Sequence, residues 1–127
     1  MLYEVETKKS LEQLDASLRA EAASRQFGVL AVHDLQAAMQ KKGVAFGNKC
    51  LVYEVCNPEQ AKKVLEANGA FSSMLPCRIS VYSSGAGYRL STILPSALAR
   101  LFPGNEIEPV AREVELVVKE IMQAAAG

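Results

Sequence analysis

Apolar positions along this chain recur with two periods, two and three-to-four, and the places where one gives way to the other mark the elements. Leu2, Tyr3, Val5 and Thr7 suggest a short first strand. Ser10 followed by Gln13 has the spacing of a capping box, and Leu11, Leu14 and Leu18, continued by Ala22, give the helix it opens a buried stripe. Phe27 to His33 reads as a second strand, after which Asp34 caps a short helix that Gly43 ends, with Lys41 and Lys42 in the last turn where cations suit the helix dipole. Lys49 to Val55 is strand-like in its β-branched and aromatic content and stops at Cys56-Asn57-Pro58. There Asn57 as N-cap and Pro58 as the first helical residue open a helix that ends near Asn68-Gly69.

Beyond it, Cys77 to Tyr82 and Tyr88 to Ile93 flank Ser84-Gly85-Ala86-Gly87, which predicts a hairpin with one wet face. A short helix from about Pro95 to Phe102 and a Pro103-Gly104 break precede a long helix from about Glu108 to Ala125. Its seam is Ile107, Val110, Val114, Val117 and Ile121, widened by Ala111, Val118 and Met122, a stripe suited to docking on a sheet. Strands that are mostly hairpin-connected, with helices at the ends and in the crossovers, predict a two-layer α+β domain: a largely antiparallel sheet with helices packed mainly on one face. No glycine-rich strand-to-helix fingerprint is present, which disfavours a nucleotide-binding α/β fold. With no repeat or linker, residues 1–127 read as a single domain.

Composition narrows the function classes more than it names one. Of 127 residues half are hydrophobic and 22% charged, enough for a core that needs no disulfide or metal. Fourteen basic residues balance fourteen acidic ones, nine against eight up to Val64 and five against six beyond it, so no field attracts nucleic acid or an anionic membrane. His33 is the single histidine, which excludes sites built from several imidazoles. The start of the chain lacks a basic stretch followed by a long apolar run, no window approaches a membrane span, and three cysteines fit a reducing compartment. A cytoplasmic protein is expected.

Two groups of residues could carry chemistry. Cys56 lies just before a predicted helix N-terminus, where exposed amides can lower a thiol pKa, although Glu54, two residues away on the same strand face, opposes that. Cys77 opens the hairpin on the face of Ile79 and Val81. If Cys56 and Cys77 met in space they could form a redox pair or offer two ligands to a soft metal, with His33 or Glu54 as a third; independent core thiols are the plainer account. His33 beside Asp34 reads as a strand-end residue. The other group comes from the charge pattern: between Glu66 and Glu106 the only charged residues are Arg78, Arg89 and Arg100. A hairpin centred on Gly85 and Ala86 sets Tyr82 opposite Arg89 and Ser80 opposite Ser91, so Arg78 and Arg89 share an acid-free face that could hold a small anionic ligand. A solvated face whose acids come from other segments is the competing account.

Val32-His33-Asp34-Leu35, Lys42-Gly43-Val44, Val55-Cys56-Asn57-Pro58 and Leu75-Pro76-Cys77-Arg78-Ile79-Ser80-Val81-Tyr82, in this order and at these separations, resemble the bacterial and archaeal family called domain of unknown function 302. The matching segments run from about Phe27 to Phe102. The resemblance implies a small α+β domain, commonly a homodimer, without an established activity. It also places Cys56 and Cys77 inside the matching motifs and leaves Cys50 outside them. Two functions follow as expectations: a homodimeric binding or interaction module, or a thiol-dependent redox, sulfur or metal-handling protein using Cys56 and Cys77. Both sulfurs in one accessible pocket favour the second, and two separately buried sulfurs the first. No cofactor follows from these residues.

Overall fold

The computed structural model describes residues 1–104 and 106–127. Its elements, in order, are β1 (Leu2–Thr7), α1 (Leu11–Ala23), β2 (Gly28–Asp34), α2 (Leu35–Lys41), β3 (Cys50–Cys56), α3 (Pro58–Ala67), a 3-10 helix (Gly69–Met74), β4 (Cys77–Ser84), β5 (Gly87–Ile93), α4 (Pro95–Ala99) and α5 (Glu108–Ala126). The strands form one sheet in the order β1-β5-β4-β3-β2, antiparallel throughout. The fold is α+β. Among the described residues only β4 and β5 make a tight hairpin; β2 to β3 and β3 to β4 run through helices, and β1 pairs with the last strand, so the expected hairpin connectivity holds for one pair alone.

Local chemistry accounts for the element ends. Ser10 accepts from the Gln13 amide at 3.2 Å while the Ser10 amide donates to Gln13 Oε1 at 3.0 Å, which satisfies two otherwise orphaned donors and starts α1. That helix stops where Gln26 adopts a positive φ of 63° and Phe27 N donates back to Ala22 O, delivering the Phe27 ring to the core. Asp34 Oδ1 accepts from Ala37 N at 2.9 Å and caps α2. The β4–β5 loop has Gly85 at φ 58° in its first central position, the II′ pattern that matches the twist of the strands. Gly87 must be glycine for a different reason: a Cβ there would lie 2.2 Å from the Thr7 carbonyl oxygen, where β1 closes on β5.

Odd-numbered residues of β3 and β4 and even-numbered residues of β5 face α1 and α5. Tyr53, Val55, Ile79, Val81 and Leu90 meet Leu14, Leu18 and Ala22 of α1 and Val118, Ile121, Met122 and Ala125 of α5, all of them buried. Each such side chain contributes roughly 1.5–3 kcal/mol by leaving water. The seam of α5 differs slightly from the expected one: Ala111, Val114, Val118, Ile121, Met122 and Ala125 are its buried line, and Val110 and Val117 flank it. A second, smaller cluster lies beside the first, built from Val64, Phe71, Ala99, Ile107 and Ala111, with Phe71 and Phe102 packed edge-to-face at 4.9 Å. Sequence reading missed the 3-10 helix that carries Phe71, because six residues lack the length for a periodic signal. No described helix is long and apolar enough to cross a membrane.

Candidate functional site

The ends of β3 and β4 meet where the two apolar clusters adjoin, and the local sequence fixes both ends. Asn57 Oδ1 accepts from the amides of Glu59 and Gln60 at 3.0 and 3.2 Å, and Pro58 stands at the first helical position, so the chain turns from β3 into α3 directly after Cys56. Leu75-Pro76, joined by a cis peptide, leads from the 3-10 helix into β4 at Cys77. Cys77 is the register partner of Val55, which leaves Cys56 one step along the same strand pair. Both cysteines line one cavity.

The cavity is lined by Phe27, Val55, Val64, Phe71, Leu75, Pro95, Ala111 and Val114, with Ala61, Asn57 and Gln60 of the α3 end completing it. It has ≈ 40 Å³ of room, enough for a few waters at about 10–15 Å³ each, so a ring-sized molecule also needs the space beside it. A neighbouring cleft of ≈ 170 Å³ shares Phe71, Leu75, Cys77 and Pro95 and reaches out past Met74, Arg78 and Leu98. Pro95 is held in place because the amide and hydroxyl of Ser96 both donate to Glu115 Oε1, at 3.1 and 2.6 Å, and tie α4 to α5. One polar group in the lining is unusual: Gln60 Nε2 donates to Glu113 at 3.2 Å, while Gln60 Oε1 is buried without any hydrogen-bond partner. Reversing the amide would set its oxygen against a carboxylate, so the oxygen belongs inward.

The expected activation of Cys56 is corrected here. The first amides of α3 are taken by the Asn57 side chain, and burial pushes the Cys56 thiol up rather than down. Burial, reinforced by the neighbouring Cys56, pushes Cys77 up to about 11. Both are thiols, not thiolates, at neutral pH. His33 does not join them. It sits opposite Val52, four β3 positions or about 13 Å from the row of Cys56, and its Nε2 meets Glu54 Oε1 at 3.0 Å. The Asp34 carboxylate is occupied by its cap. Among the described residues no three His, Cys, Asp or Glu side chains gather as a metal site, so the third ligand expected from His33 or Glu54 is not there. All three cysteines are free.

The hairpin register sets Tyr82 opposite Arg89 and Ser80 opposite Ser91, with Arg78 and Arg89 on one face. That face is not acid-free, which removes the basis for an anion site there. β1 pairs with β5 and brings Glu6 to Arg89 and Glu4 to the hydroxyls of Ser91 and Tyr82, at 2.7 and 2.8 Å. Those two hydroxyls hold the Glu4 carboxyl below its ordinary range. On the other side, β3 sets Glu54 opposite Arg78, 3.6 Å between charged atoms. Acids from strands distant in sequence thus compensate both guanidinium groups.

Gln60 escaped the sequence reading because it looked like an ordinary third residue of a helix, and its inward oxygen depends on Glu113, 53 residues away. Phe71 and Pro95 carried no chemical signal, and Leu75 entered only as part of the Leu75-Pro76-Cys77 motif. The architecture has a counterpart among solved structures: a crystal structure of an uncharacterized conserved DUF302 protein from Bacillus stearothermophilus matches with a TM-score of 0.93, covering 98% of this chain and 97% of that one. At 23% identity the likeness shows the fold alone. No curated protein matches the chain. The profile of the family described as Domain of unknown function DUF302 matches residues 3–125, beyond both ends of the motif-bearing stretch, and the chain therefore belongs to the DUF302 family.

Proposed function

We propose that this domain is a binding module for a small, largely apolar molecule, held in the cavity between the ends of β3 and β4, α3 and α5 and in the cleft that shares its Phe71, Leu75, Cys77 and Pro95 wall. One observation carries the reading: two apolar clusters adjoin without filling the space between them, and the unfilled volume is lined by both motif cysteines. Close-packed interiors rarely leave such room, since unfilled apolar space forfeits dispersion contacts and costs stability. The thiols fit this role as protonated, soft, weakly polar lining. Toluene is a suitable probe. In a two-dimensional amide NMR titration its resonance shifts are expected to saturate and to centre on Cys56, Gln60, Phe71 and Cys77. Unsaturated shifts scattered over the surface would count against the module.

A homodimer remains part of the reading. Leu2 and Ile93, register partners on β1 and β5, are both about half exposed and supply apolar surface for a second copy on the side of the sheet that contributes nothing to the core. Light scattering at micromolar concentration is expected to give twice the 13.7 kDa chain mass. A monomer mass would remove the dimer and leave the cavity untouched. The cytoplasmic location also stays in the proposal, supported by the three unpaired cysteines.

The second reading, thiol-dependent redox, sulfur or metal handling by Cys56 and Cys77, draws support from the two cysteines lining one cavity. Against it stand the raised thiol pKa values and the distance of His33. Working thiols need a thiolate, and burial here favours the protonated form.

A further inference from the structure

The unpartnered Gln60 oxygen narrows the ligand class, on the footing of the binding-module reading above. A buried carbonyl oxygen without a donor loses its hydration and gains nothing in return, so such groups in native proteins call for a partner. Here rotating the amide outward would give up the bond from its nitrogen to Glu113 Oε2 at 3.2 Å. No donor of the cavity wall lies within hydrogen-bond distance of the oxygen. The side-chain nitrogen of Asn57 and the thiols of Cys56 and Cys77 are the other side-chain donors of the wall, and none of them bonds Gln60 Oε1. The rest of the lining is hydrocarbon.

We infer that the cavity takes a small ligand with an apolar body and a single neutral hydrogen-bond donor, an O–H or N–H, which Gln60 Oε1 accepts. An anionic group at Gln60 would be poorly matched, because the cavity wall there presents an acceptor and no cationic side chain. A ligand with no donor would leave the oxygen as it is now, buried and unpaired. A water molecule in the cavity could satisfy the same oxygen, and ligand binding then exchanges one donor for another.

Phenol, toluene and anisole separate these cases, since the three share a ring and only phenol donates. Calorimetric or NMR titration of the wild type and of Gln60→Met, a variant of similar length without the oxygen, gives for each protein the ratio of phenol to toluene affinity. Taking the ratio cancels the cost of removing the phenol hydroxyl from water. It is expected to fall by about tenfold from wild type to Gln60→Met, the worth of one donor to a buried acceptor. In the wild type anisole is expected to follow toluene, a comparison that stands even if Gln60→Met folds poorly. An unchanged ratio, or anisole binding as phenol does, overturns the assignment of Gln60 while the cavity reading survives. If toluene and phenol both fail to bind the wild type, cavity water alone satisfies the oxygen, and the module falls with the inference.

Discussion

Ile79→Ala is expected to lower the unfolding free energy by about 3–5 kcal/mol, a large part of the stability of a domain of this size. Ile79 has no exposed surface and lies on β4, the middle strand of five, between the sheet and the two helices that cover it. Deleting its outer carbons removes their transfer energy and leaves a hole that neighbours on both strands and helices cannot close without moving. Urea denaturation followed by circular dichroism reads the loss as a lower midpoint with an unchanged slope. A change below about 1 kcal/mol would mean that the main cluster is not packed as described.

The second large effect concerns Cys77. With its folded-state pKa pushed up to about 11, burial being the main cause, its thiolate fraction at pH 8 is on the order of a hundredfold below that of the same thiol in the unfolded chain, whose ordinary value is near 9. Alkylation read residue by residue is therefore expected to label Cys77 at least a hundred times faster in urea than in buffer. The sign of the stability effect follows from linkage. A group whose pKa is raised by folding stabilises fully below the unfolded value, and the contribution disappears as pH climbs to the folded value. The window is about pH 9 to 11, and the amount about 2–3 kcal/mol. Tyr53, also raised by burial and by its 2.6 Å hydrogen bond to Asp15, acts in the same direction at higher pH. Cys77→Val keeps the packing and drops the ionisable proton, so its stability should decline less steeply between pH 9 and 11 than that of the wild type. Parallel decline in the two proteins would show that the Cys77 site is open to water.

The local signals were strong where one short segment decides the outcome. Ser10 and Gln13 spell a capping box, Asn57-Pro58 a helix start, and Gly85-Ala86 a hairpin centre, and each fixes its element through contacts within a few residues. The register of Arg89 and Tyr82 followed for the same reason. The fate of the arginine face did not, because Glu4 and Glu6 reach it through a β1–β5 pairing across more than 80 residues, and Glu54 through β3. Helix connections between most strands likewise hid the sheet order. For the cavity, the motif cysteines were visible and their convergence was not: it needs the β3–β4 register, the 3-10 helix bearing Phe71, and the Ser96–Glu115 contact that sets Pro95 over the site. Expecting Cys56 to be activated failed on a small point. Burial at the end of β3 favours the protonated thiol, and Asn57 occupies the amides that would have opposed it.

The central claim, that the space between β3, β4, α3 and α5 holds a small molecule, is tested most directly by filling it. Ala61 lines the cavity from α3 and is only partly buried, so Ala61→Leu adds volume on the cavity wall while a helix-favouring residue replaces another. Toluene titration of wild type and Ala61→Leu side by side, with circular dichroism confirming that both are folded, is the measurement. Saturable one-site binding in the wild type that weakens at least tenfold in the filled variant is the expected result; equal binding by both folded proteins, or none by the wild type, would contradict the account.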